Sequence, residues 1–389
     1  MNIFKNTILV IFSFLLSILF LHFILHLNTL SIVDQRKLDK SALWYLDQYY
    51  HTFFPNTFNR DLKNYTAILG DSYAFGEGDG WLEIEKENKY STPHYLNELD
   101  GKNYINFGLP GGRSVTSFRE FFFRYNKIQN SLFLPKIDQP KKIIFFFYEG
   151  NDIIDNVKFF KKKKINTNDI NKFVETEIEN FSYYENREFN IYFPTINTSK
   201  KLLLDKFIHY IYVPHIYPIR SKLRKKKEEK LGILKTNKII NNYIIFNNGK
   251  TKNYDGYLDN PGYLLNKNEI NTSINIFFSC IKYFKKKFPN TEIEILYIPS
   301  ATTIYDWKNS LLMRGTDKEY IELDKHFRDK HHGYIIKKFK ILSIKNNIKF
   351  FNPTEKLKKI AQKEYLHGNL DSRHFNLLGY KTLANVLLD

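Results

Sequence analysis

Residues 65–80, YTAILGDSYAFGEGDG, decide how the chain is read. The opening YTAIL is short, apolar and partly β-branched, the make-up of a buried strand. It stops at Asp71 and Ser72, and three glycines, Gly76, Gly78 and Gly80, follow within five positions. A strand that ends on polar residues and then turns sharply presents them at the carboxyl edge of a sheet, and the glycines permit a tight exit from that turn. A phosphate cradle is excluded by sign and pattern. Glu77 and Asp79 repel phosphate, and neither GxxxxGK followed by Ser or Thr, nor GxGxxG, is matched.

Four further β-rich runs bounded by turn residues follow: NYINFG ending at Gly108, KKIIFFFYEG at Gly150, EIEILYIP at Pro299 and NIKFFNP at Pro353. Helix-like patterns lie between them, among them residues 269–288 and 318–347. Alternating buried strands and helices predict an α/β fold with a five-stranded parallel sheet covered on both faces. The third and fourth strands are separated by far more chain than a crossover helix needs. Residues 157–267, rich in Lys, Asn and Tyr, are therefore expected to form an insertion beside the sheet's carboxyl edge, with some structure of its own.

Four polar blocks fall at or just beyond strand ends, in chain order: Gly70-Asp71-Ser72, the run NFGLPGG from Asn106, Glu149-Gly150-Asn151-Asp152, and Leu370-Asp371-Ser372-Arg373-His374. Together they describe an acyl-transfer site. A serine hydroxyl needs a base within hydrogen-bond reach, and the base needs a third group to fix its tautomer. Ser72 is the candidate nucleophile, His374 the base, and Asp371, three residues earlier, the partner of the imidazole. Donors for the oxyanion are expected from the backbone N–H groups of Ser72 and Gly111 and the side-chain amide of Asn151.

On these blocks the chain resembles the SGNH (GDSL-type) hydrolase superfamily, and GDSYAFGEG with EGNDIIDN is similar to its bacterial membrane-anchored branch. The resemblance covers residues 65–389 except the insertion. It implies a three-layer α/β/α, flavodoxin-like sandwich, the roles just given to Ser72, Gly111, Asn151, Asp371 and His374, and ester or acyl chemistry in the cell envelope without a cofactor or metal. The expected function is that of a serine esterase removing a small acyl group from an envelope glycan or lipid through an acyl-enzyme. An acyltransferase using the same triad and a non-catalytic glycan-binding or assembly protein are the alternatives. Intact Ser, Asn, Asp and His disfavour the last, since a binding module needs none of them as a set.

The N-terminus adds a membrane expectation. No Asp, Glu, Lys or Arg occurs in residues 6–33, and residues 7–25 suit one spanning helix with no convincing cleavage site after it. The expected organisation is an anchor over residues 1–30, a juxtamembrane linker over 31–62 and the hydrolase domain over 63–389. Lys5 before the span against Arg36, Lys37 and Lys40 after it would keep the domain in the cytoplasm. The envelope chemistry argues for an extracytoplasmic domain, the orientation adopted here.

The formal charge of +18 invites nucleic acid, yet the cations are mostly Lys beside abundant Asn, Ile, Phe and Tyr, as an AT-rich coding sequence would give. No arginine-rich arm, zinc-finger spacing or RNP-like motif accompanies them, so nucleic acid is not an expected partner. The one cysteine, Cys280, lies on an apolar helical pattern and reads as a core residue. His326, His331 and His332 read as a solvated helix end. His367, near the Asp-His pair, is the one other histidine expected to support the site.

Overall fold

The computed structural model describes residues 12–14, 16–17, 63–82, 90–130, 137–163, 169–179, 242–254, 258, 261–314 and 320–389. The linker at 31–62 and, five positions apart, the span expected at 7–25 lie outside the described residues. Among the described residues no helix is long and apolar enough to cross a membrane. In chain order the elements are β1 (Tyr65–Leu69), α1 (Ser72–Phe75), α2 (Asp79–Leu82), α3 (Thr92–Asp100), β2 (Asn103–Asn106), α4 (Ser114–Asn130), β3 (Lys142–Tyr148), α5 (Asp152–Lys162), α6 (Ile170–Glu179), β4 (Asn242–Ile245), β5 (Thr251–Tyr254), α7 (Lys267–Lys287), β6 (Glu292–Ile298), α8 (Ala301–Ile304), β7 (Leu311–Arg314), β8 (Tyr320–Leu323), α9 (Lys325–Lys345), β9 (Lys349–Phe351), α10 (Thr354–Ala361) and α11 (Leu377–Leu388).

The five runs read as strands form one sheet in the order β2-β1-β3-β6-β9, every neighbouring pair parallel. Side chains alternate across a strand, so a strand without polar interruption must be covered twice. Ile143, Phe145 and Phe147 of β3 enter a core with Phe118 of α4, Phe277 of α7 and Phe339 of α9. Ile144, Phe146 and Tyr148 enter a second core with Tyr73 of α1, Leu96 of α3, Leu357 of α10 and Leu383 of α11. Phe118 stacks on Phe145 with ring centroids 4.2 Å apart, and Phe277 meets Phe147 edge-on at 5.0 Å. Cys280 is buried in the first core, as expected, and burial pushes its thiol well above the ordinary range.

The helices start where side chains can satisfy their first N–H groups. Asn266 and Glu269 form a reciprocal capping box at α7. At α9 the Asp324 carboxylate accepts the Phe327 N–H at 2.7 Å. That cap corrects the expectation of one helix across residues 318–347. Tyr320–Leu323 pairs antiparallel with Leu311–Arg314 instead, because the β-prone Tyr-Ile pair precedes an aspartate that favours a helix start over a helix interior.

Of the stretch expected as an insertion, residues 157–267, the described parts return to both cores. Phe173, Val174 and Ile178 of α6 join the first, and Ile244 of β4 and Tyr254 of β5 join the second. The chain steps from β1 outward to β2, crosses back over β1 to β3, and then continues toward the other edge. Connections therefore diverge above the carboxyl ends of β1 and β3, which leaves a crevice there.

The aromatic layer carries a stability prediction. Phe277→Ala removes a ring that contacts Phe118, Phe145, Phe147 and Phe339. A loss of about 3–5 kcal/mol is expected, read as a lower urea midpoint at unchanged slope.

Candidate active site

Ser72 opens α1 immediately after β1. Asp71 caps this single turn, accepting the Tyr73 N–H at 3.0 Å, and Gly76 closes it with φ of 97°. Ser72 is thereby fixed at a helix start, where the N–H of a first-turn residue has no intrahelical partner. No acceptor meets it among the described residues. Of the three glycines following the turn, Gly76 and Gly78 have positive φ, whereas Gly80 is helical, within α2.

From near the other end of the chain, the loop before α11 lays two more groups over Ser72. His374 Nε2 lies 2.8 Å from Ser72 Oγ, and His374 Nδ1 lies 2.7 Å from Asp371 Oδ2. A carboxylate can only accept, so Nδ1 carries the proton it shares with Asp371, and Nε2 is left to accept from the serine hydroxyl. Burial alone would lower the His374 pKa. The Asp371 hydrogen bond and charge, joined by Glu77 and Asp71, outweigh it and hold the imidazole above its ordinary 6.5. Burial likewise would raise Asp371, but the same hydrogen bond holds it below 3.8.

Asp79 fixes the loop. Its carboxylate accepts three consecutive backbone N–H groups, from Asn369 at 2.6 Å, Leu370 at 2.9 Å and Asp371 at 2.8 Å. Tyr73 O–H donates to the Arg373 carbonyl at 2.7 Å, and Tyr254 O–H of the β4–β5 hairpin donates to the Ser372 carbonyl. Nothing in the local sequence marks Asp79 for this role. Its partners lie 290 to 292 positions further along the chain.

Asn151 occupies the N-cap position of α5, without a side-chain capping bond, beyond the carboxyl end of β3, the strand beside β1. Its side-chain amide favours the charged form of the neighbouring Asp71. Burial pushes Asp71 up to about 7, against the lowering effect of the Tyr73 N–H and His374. The neighbouring Asp152 is raised by burial and then by repulsion from Asp71. Gly111 occupies the third position of the turn Leu109-Pro110-Gly111-Gly112, which is closed by the Gly112 N–H to the Leu109 carbonyl at 2.8 Å. Its φ of 64° after a proline fits a type II turn. The Gly111 N–H has no acceptor among the described residues. The turn is anchored beside Ser72, since Leu109 N–H donates to the Gly70 carbonyl at 3.0 Å and Asn106 Nδ2 to the Phe75 carbonyl at 3.0 Å. The structure thus brings Ser72, Asp371 and His374 into direct contact, with Asn151 beyond the end of the adjacent strand and Gly111 on an adjoining loop.

Other expectations are refined. His367 is fully buried, with Nδ1 2.9 Å from Tyr305 O–H, and burial first, then the charge of His374, lower it to about 3. It is a neutral buttress for the loop. His331 and His332 do not form a solvated helix end: they lie within α9 and bond the Pro261 carbonyl at 2.9 Å and Glu149 at 2.8 Å. Burial would raise Glu149, yet His332 and the Ser300 and Thr303 donors hold it at about 2. No cluster of His, Cys, Asp and Glu suited to a metal occurs among the described residues.

This arrangement can pass a proton from the Ser72 hydroxyl to His374 while Asp371 balances the charge. No protein-family model matches the chain, and no curated protein is similar to it.

The Asp79 contacts predict that Asp79→Ala will cost about 2 kcal/mol in urea unfolding, since charge-assisted hydrogen bonds are lost but the freed N–H groups gain water. In the same variant the His374 imidazole, followed by NMR titration, is expected to move down toward 6.5 as Asp371 loosens.

Proposed function

We propose that the protein is a serine esterase of the SGNH hydrolase type, with the flavodoxin-like sandwich of that superfamily, acting on an acylated envelope glycan or lipid. The observation that carries this reading is the continuous chain from Ser72 Oγ through His374 to Asp371, at 2.8 and 2.7 Å. A buried serine hydroxyl has little other use for an imidazole whose far nitrogen is locked by a carboxylate.

In this mechanism Ser72 Oγ attacks the ester carbonyl as its proton passes to His374 Nε2. The tetrahedral oxyanion is met by the Ser72 and Gly111 N–H groups and by the Asn151 amide, the donors that the superfamily resemblance assigns. The C–O bond breaks as His374 returns the proton to the leaving alcohol, and a water then repeats the sequence on the acyl-enzyme. The apolar stretch at residues 7–25 supports membrane attachment, and envelope chemistry places the domain outside the cytoplasm in this reading.

Two results test it. A fluorophosphonate should label the purified full-length chain at Ser72, located by mass spectrometry, and Ser72→Ala should lose roughly 10³-fold or more in turnover of a small acetate ester, with Asn151→Ala losing roughly 10²- to 10³-fold. Comparable activity in folded Ser72→Ala protein rejects the mechanism. The pH dependence has a definite sign. Because His374 is held above 6.5, it stays protonated to higher pH and serves as base only beyond that point, so kcat/KM should rise with a midpoint above 6.5. Asp371→Asn should lower the midpoint and reduce kcat by roughly 10³- to 10⁴-fold.

A further inference from the structure

Besides Asp371, a second carboxylate reaches the His374 ring. Glu77 Oε2 lies 3.4 Å from His374 Nε2, the same nitrogen that faces Ser72 Oγ. The residue is held in place from both sides. Its N–H donates to the Ser72 carbonyl at 3.0 Å, and its own carbonyl accepts the Tyr380 hydroxyl. Gly76 and Gly78 flank it at φ of 97° and 140°, and a Cβ on either would run into Ser91 or into the Phe375 backbone. The side chain keeps 23% of its surface exposed, so it borders the open part of the site while its backbone is fixed.

His374 Nε2 has a defined neighbour during turnover. In acyl-enzyme formation the N–H it has gained from Ser72 is delivered to the ester oxygen as the C–O bond breaks, so that oxygen must sit within hydrogen-bond reach of Nε2. A carboxylate 3.4 Å from Nε2 therefore stands within reach of the alcohol half of the substrate. Asp371 adds a second negative charge on the far side of the ring, and Arg373, on the same loop, offsets part of the field at Glu77.

Resting on the serine-esterase reading, we propose that Glu77 is a specificity-determining residue that selects the alcohol half of the ester. Alcohols bearing a cation or a hydroxyl donor beside the ester oxygen are accepted, and alcohols bearing an anion are rejected. The favoured substrates are thus acylated sugars or amino alcohols. Esters with a phosphate or carboxylate next to the scissile bond are poor ones.

The test uses three acetate esters of similar size with the purified full-length chain at pH 8: acetylcholine as cation, neohexyl acetate as its uncharged carbon isostere, and acetoxybutyrate as anion. In the wild type kcat/KM should fall in that order by about tenfold per step, the scale of one charge contact in a partly solvated site. Glu77→Gln should compress the whole span to within about threefold. A measurement on the wild type alone guards against a poorly folded variant: the cation-to-neutral ratio should shrink as salt is raised from about 0.01 to 1 M, as screening requires. If Ser72 is labelled by a fluorophosphonate and esters turn over, but the ratios are flat in the wild type, indifferent to salt or unchanged in folded Glu77→Gln, the role of Glu77 is overturned and the esterase reading stands. If Ser72 is neither labelled nor supports turnover of any of the three, both fall together.

Discussion

Every strand of the central sheet has apolar cover on both faces, so its backbone N–H and C=O groups are satisfied by neighbouring strands and, at the β2 edge, by the Asn97 side-chain amide, which bonds both backbone groups of Tyr104. From that constraint most of the architecture follows. Helices must lie on either side, connections must cross from one carboxyl end to the next amino end, and polar side chains can emerge only where strands stop. Asp71, Ser72 and Asn151 sit at two such stops, on adjacent strands on either side of the point where the strand order reverses. The crevice is thus a product of topology before any side chain fills it.

Filling it is a matter of anchoring loops: the turn after β2 has no strand partner, and the segment before α11 has only one antiparallel bridge, His367 to Phe375, flanked by the Gly368 N–H to His374 carbonyl and Asn376 N–H to Leu366 carbonyl bonds. Both are tied to α1 and its exit. Asn106 and Leu109 bind the backbone at Phe75 and Gly70, and Asp79 gathers three N–H groups from the Asp371 loop. Behind the second layer of contacts, Arg124 is fully buried, bonded to Glu120 at 3.0 Å and to the Gly108 carbonyl at 3.3 Å, so α4 also bears on the glycine loop. Short-range rigidity at Ser72 is in this way extended to groups remote in sequence.

The sheet was legible because buried parallel strands are written as unbroken apolar runs, and all five runs pair as neighbours. Ser72, Asp371 and His374 were legible as a set by type and order, one at a strand end and two in the loop before the last helix, and the fold brings them into contact. What sequence could not show was pairing at long range. Asp79 and Glu77 read as two acidic residues in a glycine turn, and only the folded chain brings one to the Asp371 backbone and the other to His374. The buried pair of Glu149 and His332, 183 positions apart, was invisible for the same reason, which is why the α9 histidines read as solvated. Residues 320–323 show the opposite failure: a helical pattern was overruled by a hairpin partner and by the Asp324 cap.

The 302 positions separating Ser72 from His374 also set a clock. On a ribosome adding about 5–20 residues per second, Ser72 emerges roughly 15–60 s before the histidine that would activate it. Throughout that interval β1 and α1 can fold while the hydroxyl remains chemically ordinary, with no base in reach and no Asp371 to orient one. In the proposed mechanism reactivity is therefore acquired late, after most of the chain has been made. On the proposed reading, a serine and a histidine so far apart in the chain cannot act on a passing ester while the sheet between them is still being made.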